Sequence, residues 1–526
     1  MKLTYVESVG IKKLEQYEKT VEFVDDDGVE DQVINVYPQV KYQSFEGFGG
    51  AITDAAGYVF QQLDPEQQER ILTMYFHPDH MNYRKVRIHM DSCDFSTHLY
   101  SAISDPLDQD LESFDFSDTE KYIFPLLAAA QKMAQKPLKI MLSPWSPPEF
   151  MKTNASRKNG GSLKKEYYPL WAKCICRYIT EFEKRGYEVE RISIQNEPKA
   201  VQLWDSCVYS AEQEKEFLTD HLYTAMKQAG LEHVEIFIWD HNKERVFERA
   251  CDLIDATTDG MIAGTAFHWY SGDHFEALDL VRQQFPDKKL ILSESCLEYN
   301  KFDSAAESVN AGRLAHDMIG NLNHGLNAFY DWNILLNKEG GPNHVGNYCD
   351  APFLFDEERK ELLQRMSADY YWHFAHFIQP GAVRLGFSRY TDGIDVTAWE
   401  NPDGRIVLIL LNRGEEMQSF LKCNTGLVSR FNKFIDFPDY SKEELIAILD
   451  AMADKAGLQL EESAREAVLL SLQAKTEEEW NVFGNARGIR NLFEKIVINQ
   501  ANRLVRLSAP SREDLMKIQR EDVEVV

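Results

Sequence analysis

A chain of 526 residues, 44% hydrophobic and 27% charged, is long enough for about three domains and has the composition of a soluble globular protein. A formal net charge of −28 argues against nucleic acid as a partner, since phosphates reward clustered Lys and Arg, and equally against an anionic membrane surface. No run of about 18 apolar residues occurs, so no integral membrane contact is expected.

The first residues, Met1-Lys2-Leu3-Thr4-Tyr5-Val6-Glu7, lack the apolar stretch of a secretory signal, and the eight cysteines form no CxxC pair. Free thiols and a cytoplasmic location are the expectation. Residues 15–44 alternate apolar and polar, in Val21-Glu22-Phe23-Val24 and then Gln32–Tyr37, which predicts strands.

From Phe45 onward eight apolar runs read as strands: Phe45–Thr53, Tyr83–Met90, Leu138–Pro144, Arg191–Glu197, Val234–Asp240, Gly260–Tyr270, Lys289–Ser295 and Leu326–Asn333. Amphipathic stretches such as Asp64–Tyr75 and Leu170–Arg185 lie between them, with the i, i+3, i+4 spacing of surface helices. Eight strand–helix repeats predict an α/β fold, a (β/α)8 barrel, over residues 45–380. An open doubly wound sheet is the alternative. Against it, no Gly-rich phosphate turn follows the first run, and polar or aromatic residues end most of the runs.

After Gly381 come runs at Arg389–Trp399 and Arg405–Asn412, separated by Asn401-Pro402-Asp403-Gly404, where Asp-Gly signals a hairpin. Residues 381–423 are expected to pair with 1–44 in one side β-domain. Past Asn424 the pattern turns helical and charged. Ser441-Lys442-Glu443-Glu444 is a capping box opening a helix that Gly457 ends. Further helices are predicted at Glu461–Gln473, Ala486–Leu504 and Ser511–Gln519, so residues 424–526 form a separate all-helical segment.

Two of the barrel runs end in glutamate: Ile192-Ser193-Ile194-Gln195-Asn196-Glu197-Pro198 and Leu290-Ile291-Leu292-Ser293-Glu294-Ser295. About three βα units, at roughly 30 residues each, separate them. Two carboxylates at strand ends of one barrel are what glycosidic hydrolysis needs, one as acid and one as nucleophile or base. Around the strand ends also lie Arg87, Asp94, Trp145, Asn196, Asp240, His268, Trp269, Tyr270, Trp332 and Asn347. Aromatic faces stack on sugar C–H faces, and Asp, Asn and Arg bond hydroxyls, so the set points to a carbohydrate partner. Each residue alone could equally be core or a structural ion pair. His89, Cys93 and Cys296 lie nearby, but without HExxH or paired Cys–His spacing they are read as packing, and neither metal nor cofactor is expected.

Several ordered motifs resemble those of glycoside hydrolase family 30, the family of lysosomal glucosylceramidase, over residues 1 to about 421. They are Phe45-Glu46-Gly47-Phe48-Gly49-Gly50-Ala51-Ile52-Thr53-Asp54, Ser92-Cys93-Asp94-Phe95-Ser96, Ser143-Pro144-Trp145-Ser146-Pro147-Pro148 and Gln195-Asn196-Glu197-Pro198. The series continues with His268-Trp269-Tyr270, Ser293-Glu294-Ser295-Cys296, Asp331-Trp332-Asn333 and Gly340-Gly341-Pro342-Asn343. The resemblance implies a barrel with a side β-sandwich and a retaining double displacement, with Glu197 as acid/base and Glu294 as nucleophile. It also implies that Asp94, Trp145, Asn196 and Trp332 hold the sugar and that Tyr270 lies near the nucleophile. Arg87, His268 and Asn347 would support them. Such chemistry calls for a raised pKa at Glu197 and an ionised Glu294. Trp204, in the loop after Glu197, is a candidate platform on the aglycone side.

The family's sandwich normally continues past Leu410-Leu411-Asn412-Arg413 with further strands. Here the text instead resembles the lid end of an AAA+ ATPase of the sporulation and Rubisco-activator type, with Arg430 at the arginine-finger position and Arg487 or Arg490 near sensor 2. No GxxxxGK[ST] loop occurs in the chain, so no nucleotide is expected. The tail reads as a foreign segment replacing the sandwich's last strands, which would leave an exposed sheet edge beside Val407–Leu411. The leading expectation is a retaining, exo-acting β-glucosidase or β-xylosidase, or a glucosylceramidase-like enzyme. Small glucosides or oligosaccharides are favoured over ceramide. The alternatives are a catalytically impaired carbohydrate-binding protein and an AAA+-related assembly factor fragment.

Overall fold

The computed structural model describes residues 2–7, 15–20, 33–412, 442–474, 485–505, 507 and 511–524. The chain divides into two compact units, Met1–Thr425 and Gly426–Val526.

In the first unit, β1 (Lys2–Glu7) and β2 (Glu15–Thr20) form an antiparallel hairpin. After β3 (Ile34–Ser44), eight parallel strands close into a barrel in chain order. They are β4 (Gly47–Ala51), β5 (Lys85–Met90), β6 (Lys139–Pro144), β7 (Glu188–Ser193), β8 (Glu235–Asn242), β9 (Gly264–His268), β10 (Lys289–Glu294) and β11 (Leu326–Asp331). All eight overlap the expected runs, with shifted ends: β7 starts at Glu188 and stops at Ser193, before Glu197, β8 runs on to Asn242, and β9 is confined to Gly264–His268.

Local sequence explains the helices. Asp64 caps Pro65–Phe76 by accepting from Gln67 N at 2.9 Å, while the Gln67 side chain accepts from Asp64 N at 3.1 Å. Tyr168–Lys184 buries Trp171, Ile175, Tyr178, Ile179 and Phe182, one stripe at helical spacing, against the barrel. Inside the barrel, Met141, Phe237, Ala266, Ile291, Ala328 and Tyr330 form a separate buried layer. Gly264 in β9 is dictated by closeness: a Cβ there would lie 2.1 Å from the Lys289 carbonyl oxygen.

The strands' N-terminal ends carry a ring of alternating charge. Glu46 meets Lys85 at 3.1 Å, Arg191 at 2.6 Å and Lys289 at 2.7 Å. Glu190 meets Lys85 at 2.6 Å and Arg191 at 2.7 Å, and Glu235 meets Arg191 at 3.3 Å. Arg191 and Lys85 are buried, so these carboxylates are what keeps their charge tolerable in the interior.

Beyond β12 (Leu336–Asn337), β13 (Phe353–Asp356) and β14 (Glu361–Gln364), a four-stranded antiparallel sheet has the order β17-β16-β15-β3. Its strands β15 (Val383–Arg389), β16 (Ile394–Glu400) and β17 (Ile406–Asn412) join β3 from before the barrel. The expected Arg389–Trp399 run is in fact two strands divided by a turn, where Gly393 N donates to Thr391 Oγ1 at 3.1 Å. The Asn401–Gly404 turn is as expected, closed by Gly404 N to Asn401 O at 2.8 Å. Among the described residues β17 pairs with β16 alone, and Ile406 and Leu408 are exposed. The expected strand at Val21–Val24 lies outside the described residues.

The second unit has its own core, including Leu445, Leu449, Val468, Leu472, Ile489 and Ile496. It is built from helices Lys442–Lys455, Glu462–Ala474, Asn485–Val505, Arg512–Met516 and Arg520–Glu524. One departure from the all-helical expectation is a parallel pairing of Gln459–Leu460 with Lys517–Ile518. Arg490 is exposed, while Arg430 and the Arg487 side chain lie outside the described residues.

Candidate active site

The C-terminal strand ends converge on Arg87, whose guanidinium is fully buried. Its Nη1 donates to Glu294 Oε2 at 2.6 Å, and its Nη2 to Asn196 Oδ1 and Asp240 Oδ2, each at 2.8 Å. Glu294 is the last residue of β10, and its other oxygen accepts from the Tyr270 hydroxyl at 2.8 Å. Asp240, also buried, accepts from Ser193 and Ser293 at 2.5 Å and faces His268 Nε2 at 3.1 Å. Both serines are fully buried, Ser193 as the last residue of β7 and Ser293 just before the last of β10.

Glu197 reaches the cleft differently. The chain turns out of β7 and places Glu197 at φ +48°, with its N–H donating to Asp240 O at 2.9 Å. Asp240 shares that φ and Trp239 has φ +74°. Left-handed backbone is costly for such residues and is held here by surrounding contacts. Glu197 Oε1 lies 3.4 Å from His268 Nδ1 and 3.6 Å from His241 Nδ1, and Oε2 accepts from Gln202 Nε2 at 3.4 Å. His268 Nε2 is 3.8 Å from Glu294 Oε2, so one imidazole faces both glutamates.

That imidazole sets the charges. Burial pushes the Glu197 carboxyl up, but His268 and His241 outweigh it and hold the group at about 2. Burial raises Glu294 too, and there the pull of His268 and Arg87 does not overcome burial and the charge of Glu197. His268, despite burial, is lifted to about 9 by Glu294, Asp240 and Glu197. The free cleft therefore holds Glu197 down and Glu294 up, the reverse of the expected order, because His241 adds to His268 at Glu197 whereas Glu294 also bears the charge of Glu197.

The remaining expected residues form the cleft's floor and rim. Trp145 and Trp332 stack at 5.2 Å and 20°, with the Arg87 guanidinium 4.8 and 5.3 Å from their rings. Asp94 accepts from Asn347 at 3.2 Å and Asn343 at 3.3 Å. Burial and the Glu294 charge push it up to about 8. Trp204 is half-buried against the Trp145–Trp332 group. Its loop is closed by Tyr209 N donating to Pro198 O at 2.9 Å and anchored by the buried Arg157, which meets Asp205 at 2.9 Å. Val201 and Leu203 on this loop are 67% and 75% exposed. His89 is satisfied as packing, accepting at Nε2 from Asp54 N at 3.1 Å.

His241, Gln202, Ser193 and Ser293 were not singled out in the sequence. Ser293 had a signal, since it ends the run Leu290-Ile291-Leu292, whereas Ser193 lies inside Ile192-Ser193-Ile194. His241 and Gln202 had none, because each meets Glu197 only through the fold.

A model of the glycosyl hydrolase family 30 TIM-barrel domain matches residues 45–379. The chain belongs to glycosyl hydrolase family 30. The family's beta sandwich domain matches residues 381–421, and an AAA lid domain matches 441–526. This family 30 chain is 29% identical over 406 residues to lysosomal acid glucosylceramidase of Mus musculus, covering 73% of this chain and 78% of the relative. The structure of SrfJ from Salmonella typhimurium is 37% identical with a TM-score of 0.76, covering 79% of this chain and 93% of that one. The endo-β1,6-glucanase BT3312 is 26% identical with a TM-score of 0.67, covering 75% and 88%. A family 30 barrel with such relatives is a glycoside hydrolase.

Proposed function

We propose that this family 30 enzyme is an exo-acting retaining β-glycosidase for β-glucosides or β-xylosides, with Glu294 as nucleophile and Glu197 as acid/base. The observation that carries the reading is the opposed setting of the two carboxylates. Glu294 has both oxygens fixed by Arg87 and Tyr270, as an attacking group needs, while Glu197 stands across His268 with Oε2 touched only by a rim amide.

In this reading Glu294 attacks the anomeric carbon while Glu197 gives a proton to the departing oxygen. Glu197 then takes a proton from the water that releases the sugar. Glu197 must gain a proton before it can serve as acid, and a bound sugar that displaces water from the cleft favours that form by burying the carboxyl further. Asn196, oriented by Arg87, bonds the sugar 2-hydroxyl, and Asp94 with the Trp145–Trp332 floor holds the ring. Small glucosides met in the cytoplasm are the favoured substrates. A second reading, a glucosylceramidase-like preference for an apolar aglycone, is favoured by exposed Val201 and Leu203 beside Gln202.

Glu197→Gln and Glu294→Gln should each nearly abolish hydrolysis of an aryl β-glucoside, and azide should rescue Glu197→Ala on an activated substrate. Proton NMR of the first-formed sugar should show retained configuration; inversion, or wild-type turnover in both variants, would refute the reading. A panel of nitrophenyl glucoside, nitrophenyl xyloside and an alkyl glucoside separates the two substrate readings.

A further inference from the structure

His241, beside His268, completes an arrangement that the glycosidase reading leaves without a role. The Nδ1 atoms of both rings are buried and without a hydrogen-bond partner, and they lie 3.6 and 3.4 Å from Glu197 Oε1. Donor atoms from the three residues lie within 4.8 Å of one another. A four-coordinate zinc ion with ligands at about 2.0–2.1 Å separates neighbouring donors by about 3.3 Å, close to both observed spacings. His268 Nε2 faces Asp240 Oδ1 at 3.1 Å, and Asp240 is fixed by Arg87, Ser193 and Ser293. A carboxylate behind a ligating imidazole is the usual outer partner at a metal site, where it fixes ring orientation and raises donor strength. The Glu197 and His241 side chains each keep 13% exposure, so neither is sealed from the cleft.

We propose that Glu197, His241 and His268 form a three-ligand site for a borderline divalent cation, Zn2+ first, and that its occupancy reversibly switches the enzyme off. Two imidazoles and one carboxylate suit zinc better than magnesium or calcium, which prefer oxygen ligands alone. The ion is an inhibitor here and not a cofactor. It takes the carboxylate that must exchange a proton with the glycosidic oxygen, so metal and turnover exclude one another. This inhibitory half rests on the role proposed above for Glu197, whereas the site itself rests only on the geometry.

The test uses the full chain with Co2+ as a visible-absorbing stand-in and Zn2+ in competition. One Co2+ per chain should bind with the visible bands of a four- or five-coordinate ion, displaced by Zn2+ and removed by chelator. His241→Gln and Glu197→Gln should each weaken binding at least tenfold, and circular dichroism confirms that both are folded. Zn2+ should inhibit nitrophenyl glucoside hydrolysis in the wild type. In His241→Gln, normalised to its own metal-free turnover, at least tenfold more Zn2+ should be needed. Unchanged Co2+ affinity in both variants, or a spectrum dominated by thiolate bands from the cysteines, overturns the site. Binding that obeys the variants without inhibiting hydrolysis keeps the site and overturns the role of Glu197.

Discussion

Glu46→Gln tests whether the charged ring at the N-terminal mouth holds the barrel together. The change is nearly isosteric and removes one charge that faces Lys85, Arg191 and Lys289 at 2.6 to 3.1 Å. Removing one partner of a fully buried ion pair costs about 3–5 kcal/mol. Here Glu190 and Glu235 still hold Arg191, and Glu46 itself is 23% exposed, so the cost should be about 2 kcal/mol. With an unfolding entropy of about 2.1 cal/mol/K per residue, that lowers the barrel's Tm by about 2–3 °C. The sign with pH follows from the direction of the shift. Although burial pushes Glu46 up, Arg191 and Lys85 hold it well below its ordinary 4.5. Its contribution is therefore present above pH 4.5 and lost as the pH falls toward the folded value. Urea unfolding followed by tryptophan fluorescence at pH 7 and pH 4 reads this directly, and kcat/KM should not change, because the ring lies at the opposite end from the cleft. An equal loss at both pH values, or none at pH 7, refutes the electrostatic account.

Tyr270→Phe removes one donor to Glu294, a charged hydrogen bond of about 1.5–3 kcal/mol, so kcat/KM for an aryl glucoside should fall by about 10- to 150-fold with folding intact. Asp94 sits near 8 in the fold against an ordinary 3.8, so its favourable contribution is complete below pH 3.8 and is lost as the pH rises through 8. Asp94→Asn should therefore be more stable than wild type by on the order of a few kcal/mol at pH 8 and by little at pH 4, in paired thermal melts, while losing glucoside turnover. Gly264→Ala forces a Cβ to within 2.1 Å of the Lys289 carbonyl and should cost about 3 kcal/mol, read as insoluble protein or a sharply lowered urea midpoint. Deleting residues 424–526 should leave kcat/KM at the full-chain value, since the second unit carries its own core; loss of the folded barrel on deletion would show that the tail has been co-opted as structure.

The barrel was legible because buried parallel strands are continuous apolar runs and the helices between them carry a separate period. Glu294 fell where such reading places it, at the last residue of β10. Glu197 did not. Ile194 prolongs the apolar run and keeps the ladder bond to Phe237 O at 3.2 Å, and only the fold shows that Asn196 N then turns to Pro144 O and Glu197 N to Asp240 O, out of β7. The missed turn at Gly393 was present as an Asp392-Gly393 pair, the same signal read correctly at Asp403-Gly404. The inverted acidities of the two glutamates could not have been read, because they depend on which side of Glu197 two histidine rings come to lie. No periodicity records that.

The loop from Pro198 to Tyr209 has a consequence for how this enzyme can change. Its ends are tied to each other by one backbone hydrogen bond, and its stalk is moored to Arg157, which bonds neither glutamate. Apart from Gln202, whose side chain touches Glu197, its crown from Val201 to Trp204 can therefore be rewritten while both mooring points stay put. If this loop does set the aglycone, as proposed, substrate choice and bond-breaking are separable except at Gln202. A lineage could exchange one aglycone for another through a few crown residues, and an engineer could transplant the crown between related barrels without refitting the machinery beneath it.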